Sequence, residues 1–238
     1  MPTIVMCNTK GGVGKSTIAA VLAQVYAEAG STVTLIDADP NQPLVGWARQ
    51  SGEHVPSGIE VVGNVTEETV LDAIAAAESR SAFVIVDLEG SGNMSAAYAV
   101  SRADLVLIPM RGKQLDANQA GKVVQFVRQQ ERAFGRSIPC RIVFSVVPTL
   151  ASKEERHIRS DLIAQGIDVL NAALPERAAY SAIFQLGGSI YDLTRSDVTA
   201  PEKAIAAAQE LATAVTQELT RAQAPTATAP MIEEKAYA

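Results

Sequence analysis

Short apolar runs alternate along the chain with longer segments in which apolar residues recur at helical spacing. The runs predict six strands, over Thr3–Asn8, Thr32–Ile36, Ile59–Val62, Phe83–Val86, Leu105–Ile108 and Arg141–Val147. The spacing predicts five helices, over Ser16–Ala29, Glu67–Ser79, Ala117–Phe134, Lys153–Gln165 and Pro201–Arg221. Several strands are apolar at consecutive positions, which is typical of parallel strands covered on both faces. The pattern therefore predicts an α/β domain with a doubly wound, mostly parallel sheet and helices on both faces.

The length and composition fit one such domain. The chain has 238 residues, of which 47% are hydrophobic, so a mostly disordered protein is excluded. We predict the domain over residues 1–221. Residues 222–238 are dominated by Ala, Pro and Thr and predict a flexible tail. Active sites in open parallel sheets form at the carboxyl ends of the strands, so the residues directly after each strand carry the functional prediction.

The cysteines and the apolar stretches indicate the compartment. Cys7 and Cys140 lie far apart inside apolar runs, which predicts two small buried side chains and a reducing cytoplasm. No apolar stretch approaches the roughly 18 residues that cross a bilayer. The N-terminus has no basic region of the kind that begins a signal peptide. We therefore expect a soluble cytoplasmic protein without a membrane partner.

The segment directly after the first predicted strand carries three glycines and two lysines and leads into a helix. Its residues are Lys10, Gly11, Gly12, Val13, Gly14, Lys15, Ser16 and Thr17. Glycines let the backbone curl so that its N–H groups point at phosphate oxygens, and the helix adds its positive N-terminal end. In such a loop Lys15 neutralises the terminal phosphates and the Ser16 hydroxyl holds Mg²⁺. The segment predicts a P-loop, with Thr9 standing where the general pattern has its first glycine.

Carboxylates follow two other predicted strands. Asp37 and Asp39 come after the second strand, and Asp87 follows the run Phe83–Val86. Since parallel strands end at the same edge of the sheet, these side chains are expected near the P-loop. A carboxylate at a buried strand end is the Walker B pattern, which holds the water shell of Mg²⁺. Asp87 is therefore predicted as a metal-site residue together with Ser16.

Residues 10–17 match the signature K-G-G-x-G-K-[ST], and through it the sequence resembles the ParA/MinD family of deviant Walker ATPases. The likeness extends over roughly residues 1 to 220. The resemblance implies a P-loop NTPase fold, ATP and Mg²⁺ as cofactors, and slow ATP hydrolysis stimulated by a partner protein. It also implies a sandwich homodimer in which Lys10 reaches across the interface to the ATP of the second subunit.

Two further segments resemble motifs of this family. The segment Asp37–Pro40 resembles D-x-D-P, which implies that Asp39 orients or activates the attacking water and that Asp37 lies near the metal. The segment Leu174–Arg177 resembles one that lies near the adenine, which implies that Pro175 contacts the nucleotide.

The sequence also departs from the family pattern. Asn41 separates Pro40 from Gln42, and Glu89 stands where Thr and Pro are frequent. Ser145 stands where an asparagine is frequent, so the residues that recognise the base stay open.

The charge of the chain is unevenly distributed. Its formal net charge is −6, with 26 acidic and 20 basic side chains, yet residues 81–160 carry 11 basic and 7 acidic ones. The basic side chains recur at helical spacing, with Arg128, Arg132 and Arg136 on one predicted helix and Lys153, Arg156 and Arg159 on the next. Such stripes are either solvated helix faces or sites for the phosphates of nonspecific DNA. The family resemblance favours DNA, because ATP-bound dimers of the family bind the nucleoid through Lys and Arg.

Three functional classes remain open. The first is a nucleoid-associated ParA-type ATPase that positions DNA or other cargo with a partner such as a centromere-binding protein, or a VirC1-like ATPase that promotes conjugative DNA transfer. The second is a MinD-like membrane-cycling regulator, disfavoured because the tail has Glu233 and Glu234 rather than a basic amphipathic helix. The third is a P-loop metallochaperone or iron protein, disfavoured by the placement of Cys7 and Cys140.

Overall fold

The computed structural model describes residues 1–223 and contains seven strands and eight α-helices within them. The strands are β1 Thr3–Met6, β2 Val33–Ala38, β3 Ile59–Val62, β4 Phe83–Leu88, β5 Leu105–Met110, β6 Cys140–Val147 and β7 Val169–Pro175. The helices are α1 Lys15–Glu28, α2 Pro43–Ser51, α3 Val70–Glu78, α4 Met94–Arg102, α5 Gln114–Phe134, α6 Lys153–Ala164, α7 Ala178–Leu186 and α8 Pro201–Gln223.

All seven strands form one sheet with the order β3-β2-β4-β1-β5-β6-β7, and every neighbouring pair is parallel. The first strand therefore lies near the middle of the sheet, between β4 and β5. The chain passes to one side of β1 for β2–β4 and to the other side for β5–β7. This reversal creates a crevice at the carboxyl end of β1, where ligands bind in doubly wound sheets.

Two apolar cores cover the two faces of the sheet. Neighbouring strand residues point to opposite faces, so Ile4 and Met6 join the core under α1, α2, α7 and α8. Val5 and Cys7 join the core under α3, α4, α5 and α6. The central strands are thus apolar at consecutive positions because both faces are covered, which confirms the predicted fold class.

The single tryptophan and the two cysteines are buried to different extents. Trp47 is 1% exposed, and its indole N–H donates to the Gly188 carbonyl oxygen at 2.9 Å, so it is a packing residue. Cys7 is fully buried and Cys140 is half-buried, and both are free thiols. Burial raises the pKa of the Cys7 thiol to about 12 and that of Cys140 to about 11.

One strand and three short helices were not predicted from the sequence. The strand β7 contains Asn171 and three alanine or proline residues, and it lies at the edge of the sheet, so its apolar signal is weak. The helices α2, α4 and α7 have nine residues each, too short for a clear helical period. Helix α5 also begins three residues earlier than predicted, at Gln114, and α3 begins at Val70 because Thr66 and Thr69 form a turn.

The structure describes only the first two residues of the predicted C-terminal tail, residues 222–238. Helix α8 continues to Gln223, two residues beyond the predicted domain end at Arg221. The rest of the predicted tail, residues 224–238, lies outside the described residues. Among the helices within residues 1–223, none combines the length and apolar character needed to span a membrane.

Candidate functional site

The glycine-rich loop after β1 has the backbone conformation of an anion cradle. Gly12 and Gly14 have φ angles of +69° and +92°, in the left-handed region that favours glycine. These angles fold the loop back on itself before the chain enters α1. The Asn8 side chain fixes the start of the loop, because its Oδ1 accepts from the Lys10 N–H at 2.9 Å and its Nδ2 donates to the Pro109 carbonyl oxygen at 2.7 Å.

Helix α1 presents free backbone donors to the loop. Its N-cap is Gly14, which has no side chain to satisfy the first N–H groups, and its first turn carries no acidic residue. Unsatisfied N–H groups and the positive end of the helix dipole favour an anion at this position. The chain therefore leaves the N-terminus of α1 open to a phosphate group.

Two lysines flank this anion cradle. Lys15 is only 7% exposed, and its Nζ lies 3.5 Å from the Lys10 carbonyl oxygen. The Lys10 side chain is 42% exposed, and its ammonium group pairs with Oδ1 of Asp116 at the start of α5. Asp116 is 1% exposed, and its Oδ2 has no hydrogen-bond partner within residues 1–223. Lys10 is thus held by a buried carboxylate, whereas the Lys15 ammonium group lies near the backbone of the loop.

Asp87 is a buried carboxylate at the end of β4. It is fully buried, and neither of its oxygens has a hydrogen-bond partner within the described part of the chain. Burial raises its pKa to about 7; the Ser16 hydroxyl and Lys15 lower it, whereas the Asp37 charge raises it further. The register of β2 against β4 places Asp37 directly beside Asp87. An uncompensated buried charge is costly, so this position fits a cation held with the Ser16 hydroxyl.

Asp37 also has a structural role that the sequence did not indicate. Its Oδ2 accepts from the N–H groups of Leu44 and Val45 at 2.8 and 3.0 Å, in the first turn of α2. Burial raises the pKa of this carboxyl, and the bonds from Val45, Leu44 and Asp39 oppose the shift. Asp37 therefore anchors α2 to the end of β2, and its predicted role near a metal remains a prediction.

Asp39 lies on the rim of a cleft beside this carboxylate pair. The cleft has a volume of about 380 Å³, and its walls include Asp37, Asp39 and Glu89. Asp39 Oδ1 accepts from the backbone N–H of Asn41 at 2.8 Å and from its Nδ2 at 3.0 Å. The carboxylate is partly exposed and is therefore accessible from the cleft.

The opposite side of the loop has a small cavity. It has a volume of about 100 Å³, and its walls include Gly14, Thr17, Pro175, Arg177 and Tyr180. The structure thus brings the predicted residue Pro175, at the end of β7, to the same cavity as two P-loop residues.

Three side-chain contacts of the loop region were not predicted, because they join residues far apart in the sequence. Asp116 pairs with Lys10, Arg111 donates to the Gly12 carbonyl oxygen at 2.6 Å, and the Ser145 hydroxyl donates to the Val13 carbonyl oxygen. Their only local signal was position, since Arg111 directly follows a buried strand and Ser145 lies inside one. That signal does not identify which loop atom each side chain contacts.

The predicted basic stripe on α5 is wrong at its last residue. Helix α5 ends at Phe134, because Gly135 adopts a left-handed conformation with φ 65°, so Arg136 lies beyond the helix. Its guanidinium donates to the Ala103 carbonyl oxygen. Arg159 on α6 is also engaged, since it stacks over Phe144 at 4.6 Å and donates to the Leu170 carbonyl oxygen at 3.1 Å.

The remaining basic residues form two groups rather than one patch. Lys153 and Arg156 are exposed in the first turn of α6, which begins at the carboxyl edge of the sheet. Arg128, half-buried, and the exposed Arg132 lie in the last turns of α5, which runs towards the opposite edge. Since α5 has 21 residues, its two ends are about 30 Å apart.

Sequence comparisons place these features in a family. Residues 4–187 match the model described as the CobQ/CobB/MinD/ParA nucleotide binding domain. Protein ParA of Rhizobium radiobacter is 41% identical over 223 residues, which cover 93% of this chain and 99% of that protein. Protein VirC1 of Rhizobium rhizogenes is 26% identical over 191 residues, which cover 79% of this chain and 82% of that protein. The family predicted from residues 10–17 is confirmed.

Structural comparisons agree with the sheet topology. An aspartate-to-alanine variant of McdA from Cyanothece, in complex with ATP, gives a TM-score of 0.69 at 15% identity over 91% of this chain and 96% of that one. Cobyrinic acid a,c-diamide synthase from Mycobacterium smegmatis, with an ATP analog and magnesium, gives 0.69 at 17% identity over 96% of this chain and 100% of that one. At these identities the likeness concerns the fold, and it confirms the predicted P-loop NTPase fold.

The anchoring role of Asp37 is testable by substitution. We expect Asp37→Ala to destabilise the protein by about 0.5–2 kcal/mol, because two N–H groups of α2 lose their acceptor. In a domain of this size that corresponds to a fall in Tm of about 2–4 °C per kcal/mol. Asp37→Asn keeps an acceptor oxygen and should unfold close to the wild type. Thermal unfolding without nucleotide measures both, and an Asp37→Ala protein as stable as the wild type would exclude the anchor.

Proposed function

This chain belongs to the CobQ/CobB/MinD/ParA nucleotide-binding family, and we propose that it is a ParA-type ATPase that binds ATP with Mg²⁺ and hydrolyses it to ADP and phosphate. The 41% identity to Protein ParA over nearly the full length of both chains supports the ParA assignment within the family. The likeness to neighbours of the same fold that hold ATP or an ATP analog supports the choice of ATP.

One observation carries the proposal, namely the opposite charges at neighbouring strand ends. Lys15 and the N-terminus of α1 supply positive charge at the end of β1, while Asp87 and Asp37 supply negative charge at the ends of β4 and β2. A nucleoside triphosphate with Mg²⁺ needs both, since its phosphates require cations and its metal requires oxygen ligands. Ser16 and Asp87 would hold Mg²⁺, which would neutralise charge on the phosphates.

The hydrolytic step assigns a role to Asp39. The P-loop would hold the phosphates, and the cleft that Asp39 borders would give the attacking water access to the terminal phosphorus. Asp39 orients the attacking water and accepts its proton as the water oxygen bonds to the terminal phosphorus. The bond from that phosphorus to the bridging oxygen breaks, and ADP and phosphate leave. Lys15 neutralises the charge that develops on the phosphate oxygens.

Dimerisation brings two such sites together. Apolar side chains are exposed near the nucleotide edge, where Leu115 is 74% exposed, Leu150 85% and Met94 48%. An apolar rim of this kind supports an interface. In the dimer Lys10 leaves Asp116 and reaches the phosphates of the second subunit, so that each site is completed by the other chain.

The dimer would act on DNA through the basic groups on α5 and α6. Lys153 and Arg156 lie near the proposed interface, where dimerisation doubles the local positive charge. The cycle then positions DNA or another cargo, and a partner such as a centromere-binding protein stimulates hydrolysis and resets the monomer in the cytoplasm. The 26% identity to VirC1 supports a second candidate within the family, a VirC1-like role in conjugative DNA transfer.

Substitution of Asp39 tests the hydrolytic cycle. We expect Asp39→Ala to bind ATP, to lose ATPase activity by about 100-fold or more, and to accumulate as a dimer, because hydrolysis no longer resets the monomer. Sedimentation with and without ATP measures the dimer, and phosphate release measures the activity. Glu67→Ala, which changes another carboxylate in the same cleft, is the matched control. The double variant Lys15→Ala/Asp39→Ala should remain monomeric because it cannot bind ATP. A fully active, monomeric Asp39→Ala protein would contradict the mechanism.

Charge reversal tests the DNA-binding role. We expect Lys153→Glu/Arg156→Glu to weaken ATP-dependent binding to nonspecific DNA. The slope of log affinity against log salt concentration should become shallower by about one unit for each lost phosphate contact. Arg128→Glu/Arg132→Glu tests the group at the other end of α5 in the same way. The control Arg49→Glu/Arg80→Glu reverses as many charges at exposed positions elsewhere. DNA affinity that is unchanged in both test variants would remove these residues from the DNA-binding surface.

A further inference from the structure

Two side chains from neighbouring strand ends hold the carbonyl groups of the glycine-rich loop. Arg111 directly follows β5, and its Nη2 donates to the Gly12 carbonyl oxygen at 2.6 Å. Ser145 lies in β6 and is fully buried, and its hydroxyl donates to the Val13 carbonyl oxygen. The Ser145 oxygen also lies 3.3 Å from the Met110 carbonyl oxygen, at the end of β5. Successive peptide groups of the loop are thus held by separate side chains.

The geometry of the peptide group determines what these contacts do. In a trans peptide the C=O and the N–H point in opposite directions. When a side chain holds the carbonyl group on one side of the loop, the N–H of the next residue therefore points to the other side. Capture of the Gly12 carbonyl directs the N–H of Val13, and capture of the Val13 carbonyl directs the N–H of Gly14. The two N–H groups then face the side of the loop where phosphate oxygens bind.

The glycines of the loop do not by themselves restrict its backbone to one conformation. Gly12 and Gly14 lie on either side of the held peptides, and both adopt left-handed φ angles that glycine leaves easily. When only a fraction of molecules has the binding conformation, the apparent affinity falls by that fraction. Contacts that restrict these peptides raise the fraction before any ligand arrives.

We propose that Arg111 and Ser145 form a carbonyl clamp that preorganises the P-loop for phosphate, so that they act as positioning residues for nucleotide binding. This proposal rests on the proposed function, since it assumes that the loop binds the phosphates of a nucleotide. It assigns Ser145 to the phosphate side of the site, although Ser145 also lines the small cavity on the base side. A clamp and a base contact therefore make different predictions for ligands that lack a base.

Binding of ATP, ADP and inorganic pyrophosphate to the full-length protein separates these two roles. We expect Ser145→Ala and Arg111→Gln each to weaken all three ligands by a similar factor, about 5- to 10-fold, because one hydrogen bond to the loop is lost. Ser145→Thr keeps the hydroxyl and should restore most of the affinity. Ser181→Ala is the matched control, since Ser181 lines the same cavity and makes no side-chain hydrogen bond to the P-loop within residues 1–223.

The outcomes are distinct. Pyrophosphate binding that is unchanged in both Ser145→Ala and Arg111→Gln would overturn the clamp, and a loss confined to ATP and ADP would assign Ser145 to the base instead. A wild-type protein that binds none of the three ligands would overturn the proposed function and the clamp with it. Far-UV circular dichroism confirms folding of each variant, and rescue by Ser145→Thr distinguishes the loss of a hydroxyl from the loss of the fold.

Discussion

The carboxylate of Asp87 is the constraint on which the arrangement of the site depends. It is fully buried at the end of a central strand, neither oxygen has a hydrogen-bond partner within residues 1–223, and Asp37 lies beside it in register. Burial of an unpaired charge costs several kcal/mol by general estimates, which is why its pKa is raised to about 7. Such a group is retained at a cost to stability, and a bound cation that it helps to hold would offset that cost.

The parallel sheet explains how opposite charges come to lie so close together. Because β1 lies between β4 and β5, the glycine-rich loop, Asp87 and Arg111 all emerge at one edge. Helix α1 directs its positive end at this edge, and Asp37 holds the first turn of α2 nearby. The Lys10–Asp116 pair keeps a partly exposed lysine at the rim of the site rather than in solvent. The same edge carries exposed apolar side chains, so the proposed nucleotide site and the proposed interface are continuous.

Much of this site could be predicted from local sequence, because its main parts are contiguous. The loop of residues 10–17 lies between a strand and a helix, and Asp37 and Asp87 each lie at the end of an apolar run. The contacts of Asp116, Arg111 and Ser145 could not be predicted, since they join residues 106, 99 and 132 positions apart. Helix ends were a second source of error, as Gly135 ends α5 before Arg136 can share its face. The fold class was predicted correctly, but the edge strand β7 was not, because it lacks the apolar run that marks the central strands.

Asp87 would provide the negative half of a site for phosphate and Mg²⁺. Calorimetric titration of ATP, with Mg²⁺ or with EDTA, into the wild type and into Asp87→Asn measures this contribution. We expect Mg²⁺ to raise the ATP affinity of the wild type by about tenfold or more, which corresponds to about 1.4 kcal/mol. Asp87→Asn should bind ATP in EDTA at least as tightly as the wild type but gain little from Mg²⁺. An Asp87→Asn protein that gains as much affinity from Mg²⁺ as the wild type would show that Asp87 does not hold the metal.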